Sequence, residues 1–292
     1  MHFTDIIYRN PYWPTFPLIQ ITQGCTHNSC KFCTMYRNVG FMPHPMEWIE
    51  EDLAELASVA PDARTIQILS ANPLVMTYNK LVPILEKINE YLPNLEYLYT
   101  QARITDFKYK TVEELKELKK LGIREISLGV ESGDDWTLER INKGYSSQDI
   151  LEQCAKLDEA GIKYWMTFLN GVAGKEHSID HARNSALIFN QCNPMLVGIG
   201  GLTLFPGTPF LEESERGLFD PLTEREMIVE LKTFLEILEL NCSLNTHHTI
   251  STNLTGPDFL SRKDEILKSL EHEIEFGDMK RYARDRKYKR TL

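Results

Sequence analysis

From Leu18 onward the chain alternates short apolar runs with longer stretches whose apolar residues recur every three or four positions. The short runs read as buried strands at 18–22, 65–70, 95–100, 125–130, 163–169 and 196–204. The longer stretches predict amphipathic helices over 46–59, 78–91, 111–121, 147–160, 178–191, 223–240 and 258–275. Pro93-Asn94 punctuates the chain before the third strand, and Gly122 and Gly161 stand where helices should end in left-handed caps. Alternation at this spacing implies an α/β fold with a parallel sheet. Right-handed crossovers close it most simply as a partial (β/α)6 TIM-like barrel with a short helical C-terminal extension. Functional loops then gather at the C-terminal ends of the strands.

No repeat, low-complexity tract or long Ser/Gly/Pro linker divides the chain early, so the expected organisation is a core over 1–245 with an N-terminal lead-in, and an extension over 246–292. With 292 residues, 42% of them hydrophobic, there is enough chain for one large core. No apolar run approaches the roughly 20 residues that span a bilayer, and the first residues lack a secretion pattern, which places the protein in the cytoplasm without a membrane partner. Six cysteines in that compartment argue for metal binding over disulfides. A net charge of −10 works against phosphate-backbone binding, so nucleic acid is disfavoured as a partner. The basic run Lys280, Arg281, Arg284, Arg286, Lys287, Lys289 and Arg290 is the exception, and reads first as a solvated helix end.

The first strand runs into Cys25-Thr26-His27-Asn28-Ser29-Cys30-Lys31-Phe32-Cys33, three thiols within nine residues. Soft thiolates suit an iron-sulfur cluster or zinc, and a four-iron cluster on three protein ligands keeps one iron open. The rival is a closed zinc site with His27 as fourth ligand. Zinc sites usually draw ligands from two separated knuckles, so the spacing favours iron-sulfur while leaving both open. Cys154 and Cys192 fall in helical stretches and read as buried small residues, whereas Cys242 opens a polar segment, 242–253, expected to cover the barrel mouth.

A three-cysteine loop with Phe32 before its last cysteine, placed after the first strand of a βα chain, resembles the radical S-adenosylmethionine (SAM) superfamily. Ile126-Ser127-Leu128-Gly129-Val130-Glu131-Ser132-Gly133 and Ile141-Asn142-Lys143-Gly144 resemble the fourth-strand region of the branch containing oxygen-independent coproporphyrinogen oxidases and methylthiotransferases. Phe168 to Glu176 and Leu204-Phe205-Pro206-Gly207-Thr208-Pro209 look like that branch's fifth- and sixth-strand ends. The likeness covers about residues 18 to 210. Two departures stand out: four residues separate Cys25 from Cys30 where three are usual, and Ser70-Ala71-Asn72-Pro73 replaces a Gly-Gly-Glu-like segment.

The resemblance implies an oxygen-sensitive [4Fe-4S] cluster on Cys25, Cys30 and Cys33, with SAM bound beside it and reductively cleaved to a 5′-deoxyadenosyl radical. By position, it assigns the Phe32 backbone to adenine, Ser70 and Asn72 to the methionyl amine, Glu131 to the ribose and Lys143 to the carboxylate. Asn170 and Phe205 would close the adenosyl pocket. Arg103, after the third strand, is a candidate for gripping a carboxylate, with an ordinary ion pair as its plainer reading. Cys242 is a candidate hydrogen-atom donor, set against an inert buried thiol. The expected partners are a small-molecule substrate and a reductant such as flavodoxin or ferredoxin. Modification of RNA or a peptide is the alternative, and a non-catalytic electron carrier is the alternative of another class.

Overall fold

The computed structural model describes residues 1–9, 15–249 and 253–288. Its elements run β1 (Leu18–Gln20), β2 (Thr22–Gln23), β3 (Met42–Pro43), α1 (Met46–Val59), β4 (Thr65–Leu69), α2 (Tyr78–Tyr91), β5 (Tyr97–Ala102), α3 (Val112–Lys120) and β6 (Ile123–Glu131). There follow α4 (Asp135–Arg140), α5 (Ser147–Ala160), β7 (Lys163–Asn170), α6 (Ser178–Phe189), β8 (Leu196–Gly201), α7 (Pro209–Glu215), α8 (Glu224–Ile237), β9 (Ser243–His248), α9 (Phe259–Phe276) and α10 (Met279–Tyr288).

Seven strands form one sheet in the order β1-β4-β5-β6-β7-β8-β9, while β2 and β3 make a small antiparallel pair. The ladders β1–β4, β4–β5, β5–β6, β7–β8 and β8–β9 are all parallel. This is the expected α/β architecture with one strand more. The extra strand, β9, occupies the segment expected to be a polar lid. Its sequence Ser-Leu-Asn-Thr-His-His carries little apolar signal, but its backbone pairs with β8, and Leu244 exchanges hydrogen bonds of 2.9 and 3.0 Å with Gly256 on the other side. The expected boundary at residue 245 falls inside this strand. Residues 250–252 of that segment, like Lys289 and Arg290 of the basic run, lie outside the described residues.

The chain separates into two compact units built from interleaved segments. The first comprises Met1–Asn28, Met35–Gly129 and Glu152–Tyr164. Its helices bury one face each: Ile49, Leu53 and Leu56 of α1, and Leu81, Ile84, Leu85 and Ile88 of α2. Thr111 and Glu114 close a reciprocal capping box at the start of α3, which satisfies two donors the helix leaves unpaired.

The second unit comprises Ser29–Thr34, Val130–Leu151 and the chain from Trp165 onward. Here Phe168 of β7 lies between the His181 ring, 4.7 Å away, and the Phe234 ring, 4.0 Å away, both stacked on it. His181 belongs to α6 and Phe234 to α8, so Phe168 fixes which face of β7 is turned to the helices. Successive strand residues alternate faces, so Met166, Phe168 and Asn170 share the helix side and Thr167 and Leu169 the other. Among the described residues no helix is long and apolar enough to cross a membrane.

The stacked core gives a direct stability test. Phe168→Ala should lower the unfolding free energy by about 3–5 kcal/mol in urea titrations, by lost burial and an unfilled cavity, whereas exposed Val59→Ala should change it by less than about 0.5 kcal/mol.

Candidate active site

In the first unit, the approach to the cysteine loop is fixed by Gly24. Its φ is +70°, and an added Cβ would meet the Gly40 and Val39 carbonyl oxygens at 2.8 and 2.9 Å, so only glycine fits. The Gly24 N–H donates to Asp5 Oδ2 at 2.8 Å, and Ser70 Oγ donates to the Gly24 carbonyl at 3.0 Å. On the other side of Cys25, the Thr26 N–H donates to Asn72 Oδ1 at 3.2 Å, and Asn72 Nδ2 donates to Thr26 Oγ1 at 2.8 Å. Ser70 and Asn72 therefore bracket Cys25 through its two neighbours. They were expected to face a methionyl amine; in the structure their side chains hold the loop.

Asn72 is held in turn by Asp106, which sequence reasoning missed. Asn72 Nδ2 also donates to Asp106 Oδ1 at 3.0 Å, and the Arg103 N–H donates to Asp106 Oδ2 at 2.8 Å. Burial pushes the Asp106 carboxyl up to about 6, although the Arg103 N–H bond, Asn72 and the Arg103 and Lys110 charges all pull it down. Lys110, also buried, donates from Nζ to the Leu74 and Asp106 carbonyls at 2.6 and 2.9 Å, and desolvation lowers it to about 8. Arg103 is itself buried beside this network, in place of the solvent-facing ion pair that was its plainer reading.

The second unit holds the remainder of the cysteine loop. The Lys31 N–H donates to the Ile141 carbonyl at 3.0 Å, Asn142 Nδ2 donates to the Ser29 carbonyl at 3.1 Å, and the Phe210 N–H donates to the Lys31 carbonyl at 3.2 Å. Cys30 and Phe32 are buried in an apolar cluster with Ile141, Leu169, Val172 and Phe210, and Cys33 packs against it. Lys143, buried, places Nζ 3.3 Å from Glu131 Oε1 and 5.7 Å from the centre of the Phe32 ring. Glu131 takes a left-handed φ of +68° at the end of β6, a strained conformation for a side-chain-bearing residue. Three sequence-predicted residues, Phe32, Glu131 and Lys143, are thus brought together.

Others are not. Asn170 lies on the helix face of β7, where its Nδ2 donates to the Met227 carbonyl of α8 at 2.9 Å while its Oδ1 is buried with no donor among the described residues. Phe205 is half-buried, and its carbonyl accepts from Thr208 N at 3.1 Å and Thr208 Oγ1 at 2.7 Å in the turn that starts α7. Cys242 is buried at the N-terminal end of β9, the end opposite the one where functional loops gather. Burial pushes its thiol up to about 12, so it stays protonated and is no thiolate nucleophile; it is the location, away from the loop end of the sheet, that sets it apart from the other candidate residues. A further pair unforeseen from sequence is His181 and Glu230, both fully buried, with Nδ1 3.0 Å from Oε1 and the other carboxylate oxygen accepting the Gly171 N–H.

Among the described residues, no three His, Cys, Asp or Glu side chains are already drawn together as metal ligands. The donor chemistry nonetheless suits a cluster: Cys25, Cys30 and Cys33 offer three thiols, and none of them is joined in a disulfide.

The family model described as the Radical SAM superfamily matches residues 19–187. The chain is 26% identical to the heme chaperone HemW of Bacillus subtilis over 172 residues, which is 57% of this chain and 44% of that protein. It is also 26% identical to the tRNA-2-methylthio-N(6)-dimethylallyladenosine synthase of Bdellovibrio bacteriovorus over 161 residues, 53% of this chain and 34% of that one. The chain therefore spans less than half the length of these curated relatives. Coproporphyrinogen III oxidase (HemN) from Escherichia coli superposes with a TM-score of 0.55 at 12% identity, covering 77% of this chain and 53% of that chain, a likeness of fold.

The Asp106 network makes a pH prediction. A carboxyl raised from 3.8 to about 6 by folding binds its proton more tightly in the folded state. Stability attributable to it is then present below pH 4 and is lost as the pH rises to about 6. The displacement corresponds to on the order of 3 kcal/mol. Asp106→Asn removes the titration, so between pH 4 and 6.5 the wild type's unfolding free energy in urea should fall relative to the variant's by up to about that amount. Parallel pH profiles for the two proteins would refute it.

Proposed function

Because the chain belongs to the radical SAM superfamily, we propose that Cys25, Cys30 and Cys33 hold its [4Fe-4S] cluster and that SAM, cleaved there, starts hydrogen abstraction from a small-molecule substrate. The superfamily uses this cluster and SAM, and relatives such as the methylthio-tRNA synthase are enzymes, which supports catalysis over the electron-carrier alternative. The observation that carries the residue assignment is the grouping of Phe32, Lys143 and Glu131 against the segment bearing Cys30 and Cys33. It brings a cation, an anion and the aromatic residue that stands between Cys30 and Cys33 in the loop to one place.

When bound, the cluster and SAM supply a one-electron cleavage of a carbon–sulfur bond and a 5′-deoxyadenosyl radical. The chain's own residues supply position. Glu131 accepts the ribose hydroxyls, Lys143 donates to the methionyl carboxylate, and the Phe32 backbone meets the adenine. Ser70 and Asn72 act through the loop, by fixing Gly24 and Thr26. The apolar cluster around Cys30 and Phe32 excludes water from that side of the cluster loop. An external reductant of the flavodoxin or ferredoxin kind delivers the electron.

RNA modification is the second reading. The charge-based expectation against nucleic acid does not hold up, since a relative is named for a tRNA product despite the likeness. In this chain the supporting feature is α10, where Lys280, Arg281, Arg284 and Lys287 are exposed on ten residues that carry one acid, Asp285.

Anaerobic reconstitution should give about four irons per chain, and addition of SAM and dithionite should yield 5′-deoxyadenosine. Cys30→Ala should abolish both; stoichiometric zinc without sulfide in anaerobically isolated protein would end the cluster reading. Glu131→Gln should leave the iron content intact and weaken SAM binding by about tenfold or more, about 1.5–3 kcal/mol by calorimetry.

A further inference from the structure

On the face of the second unit's strands turned away from the helices, three residues form one row. The register pairs Thr167 of β7 with Gly198 of β8, and Gly198 with Asn245 of β9. One step along, Leu169 pairs with Gly200. Glycine in a strand interior is destabilising relative to alanine, and it often marks a place where a ligand or another backbone approaches closely. Both glycines remain partly exposed, and an added Cβ would meet nothing nearer than 3.9 Å at Gly198 and 3.5 Å at Gly200. Over each glycine there is room for at least one further atom without a clash.

An independent observation comes from Asn245, which is 3% exposed. Its Oδ1 accepts the His247 N–H at 3.0 Å, and because a backbone N–H can only donate, that bond fixes which end of the amide is oxygen. The other end, Nδ2, is buried with no acceptor among the described residues. A buried NH2 left unpaired loses its hydration without compensation, and such a group in a folded protein calls for a partner. The row also meets the proposed SAM site: Thr167 Oγ1 accepts the N–H of Glu131 at 3.3 Å.

We propose that Gly198, Gly200 and Asn245 form the substrate floor, on which a flat small molecule lies over the glycines and presents a carbonyl or carboxylate oxygen to Asn245 Nδ2. This rests on the radical SAM reading with a small-molecule substrate, and adds to it the chemistry of the substrate and the strand that recognises it. The carbonyl and carboxylate share one demand, an acceptor oxygen at the edge of a planar body.

The test uses benzoate and benzamide as probes of the SAM-loaded, reconstituted enzyme, followed by saturation-transfer NMR. The wild type should bind at least one at millimolar concentration, the stronger of the two telling carboxylate from carbonyl. Gly198→Val, which fills the space, and Asn245→Leu, which removes the donor, should each weaken that probe by about tenfold while iron content and SAM affinity stay within about twofold. Binding of neither probe by the wild type, or binding unchanged in both variants, would overturn the proposal and leave Asn245 Nδ2 to a trapped water. If the wild type fails to bind SAM at all, the parent reading falls and the floor with it. SAM binding without probe binding removes the floor alone.

Discussion

One backbone hydrogen bond, from the Lys31 N–H to the Ile141 carbonyl, ties the cysteine loop to the turn that follows the fourth strand of the repeat. With the Asn142 side chain on the Ser29 carbonyl beside it, this contact sets where Cys30, Phe32 and Cys33 lie relative to Lys143. Without it, the Ser29–Thr34 end of the loop would be left to the Asn142 and Phe210 contacts. Lys143 reaches both Glu131 and the Phe32 ring because the two segments are already in register. The apolar cluster around Cys30 completes the arrangement by burying one side of the loop.

The loop's other end is held by polar contacts, and at some energetic cost. Ser70, with φ +97°, and Glu131, with φ +68°, both carry side chains in backbone conformations that favour glycine. Each lies at the end of a sheet strand next to a residue the site depends on. Asp106 is kept where burial opposes its charge so that Asn72 can face Thr26 with its amide correctly turned. A less constrained sequence would place a neutral, flexible contact there; strain and a displaced carboxyl are the signs of a geometry held for a purpose.

Strand Thr65–Leu69 was legible as an apolar run because it is buried on both faces, and Leu196–Gly201 because it carries no polar side chain, although its alternate residues stay partly exposed. Helices α1, α2 and α8 were legible from their periodicity. Strand β9 was not: Asn245, Thr246 and His247 follow no apolar alternation, and only pairing with β8 makes them a strand. In the site, the motif residues Glu131 and Lys143 were recognisable by their place after Gly129-Val130 and Ile141-Asn142. The direction of Asn170 was not, because strand parity is set by Phe168 against α6 and α8, contacts between distant parts of the chain. Asp106 carried no local signal at all; its role exists only through Asn72.

The bond between the Lys31 carbonyl and the Phe210 N–H sets an order of events during synthesis. Lys31 leaves the ribosome early, yet its partners at 141 and 210 emerge much later, and at roughly 5–20 residues per second the wait is on the order of ten seconds or more. Through that interval Cys30 and Cys33 stand without the apolar cover that Phe210 and Phe219 later help to provide. A nascent chain in this state can meet oxidants and adventitious metal before its own loop has closed, and any delay in translating the stretch up to Phe210 lengthens the vulnerable period.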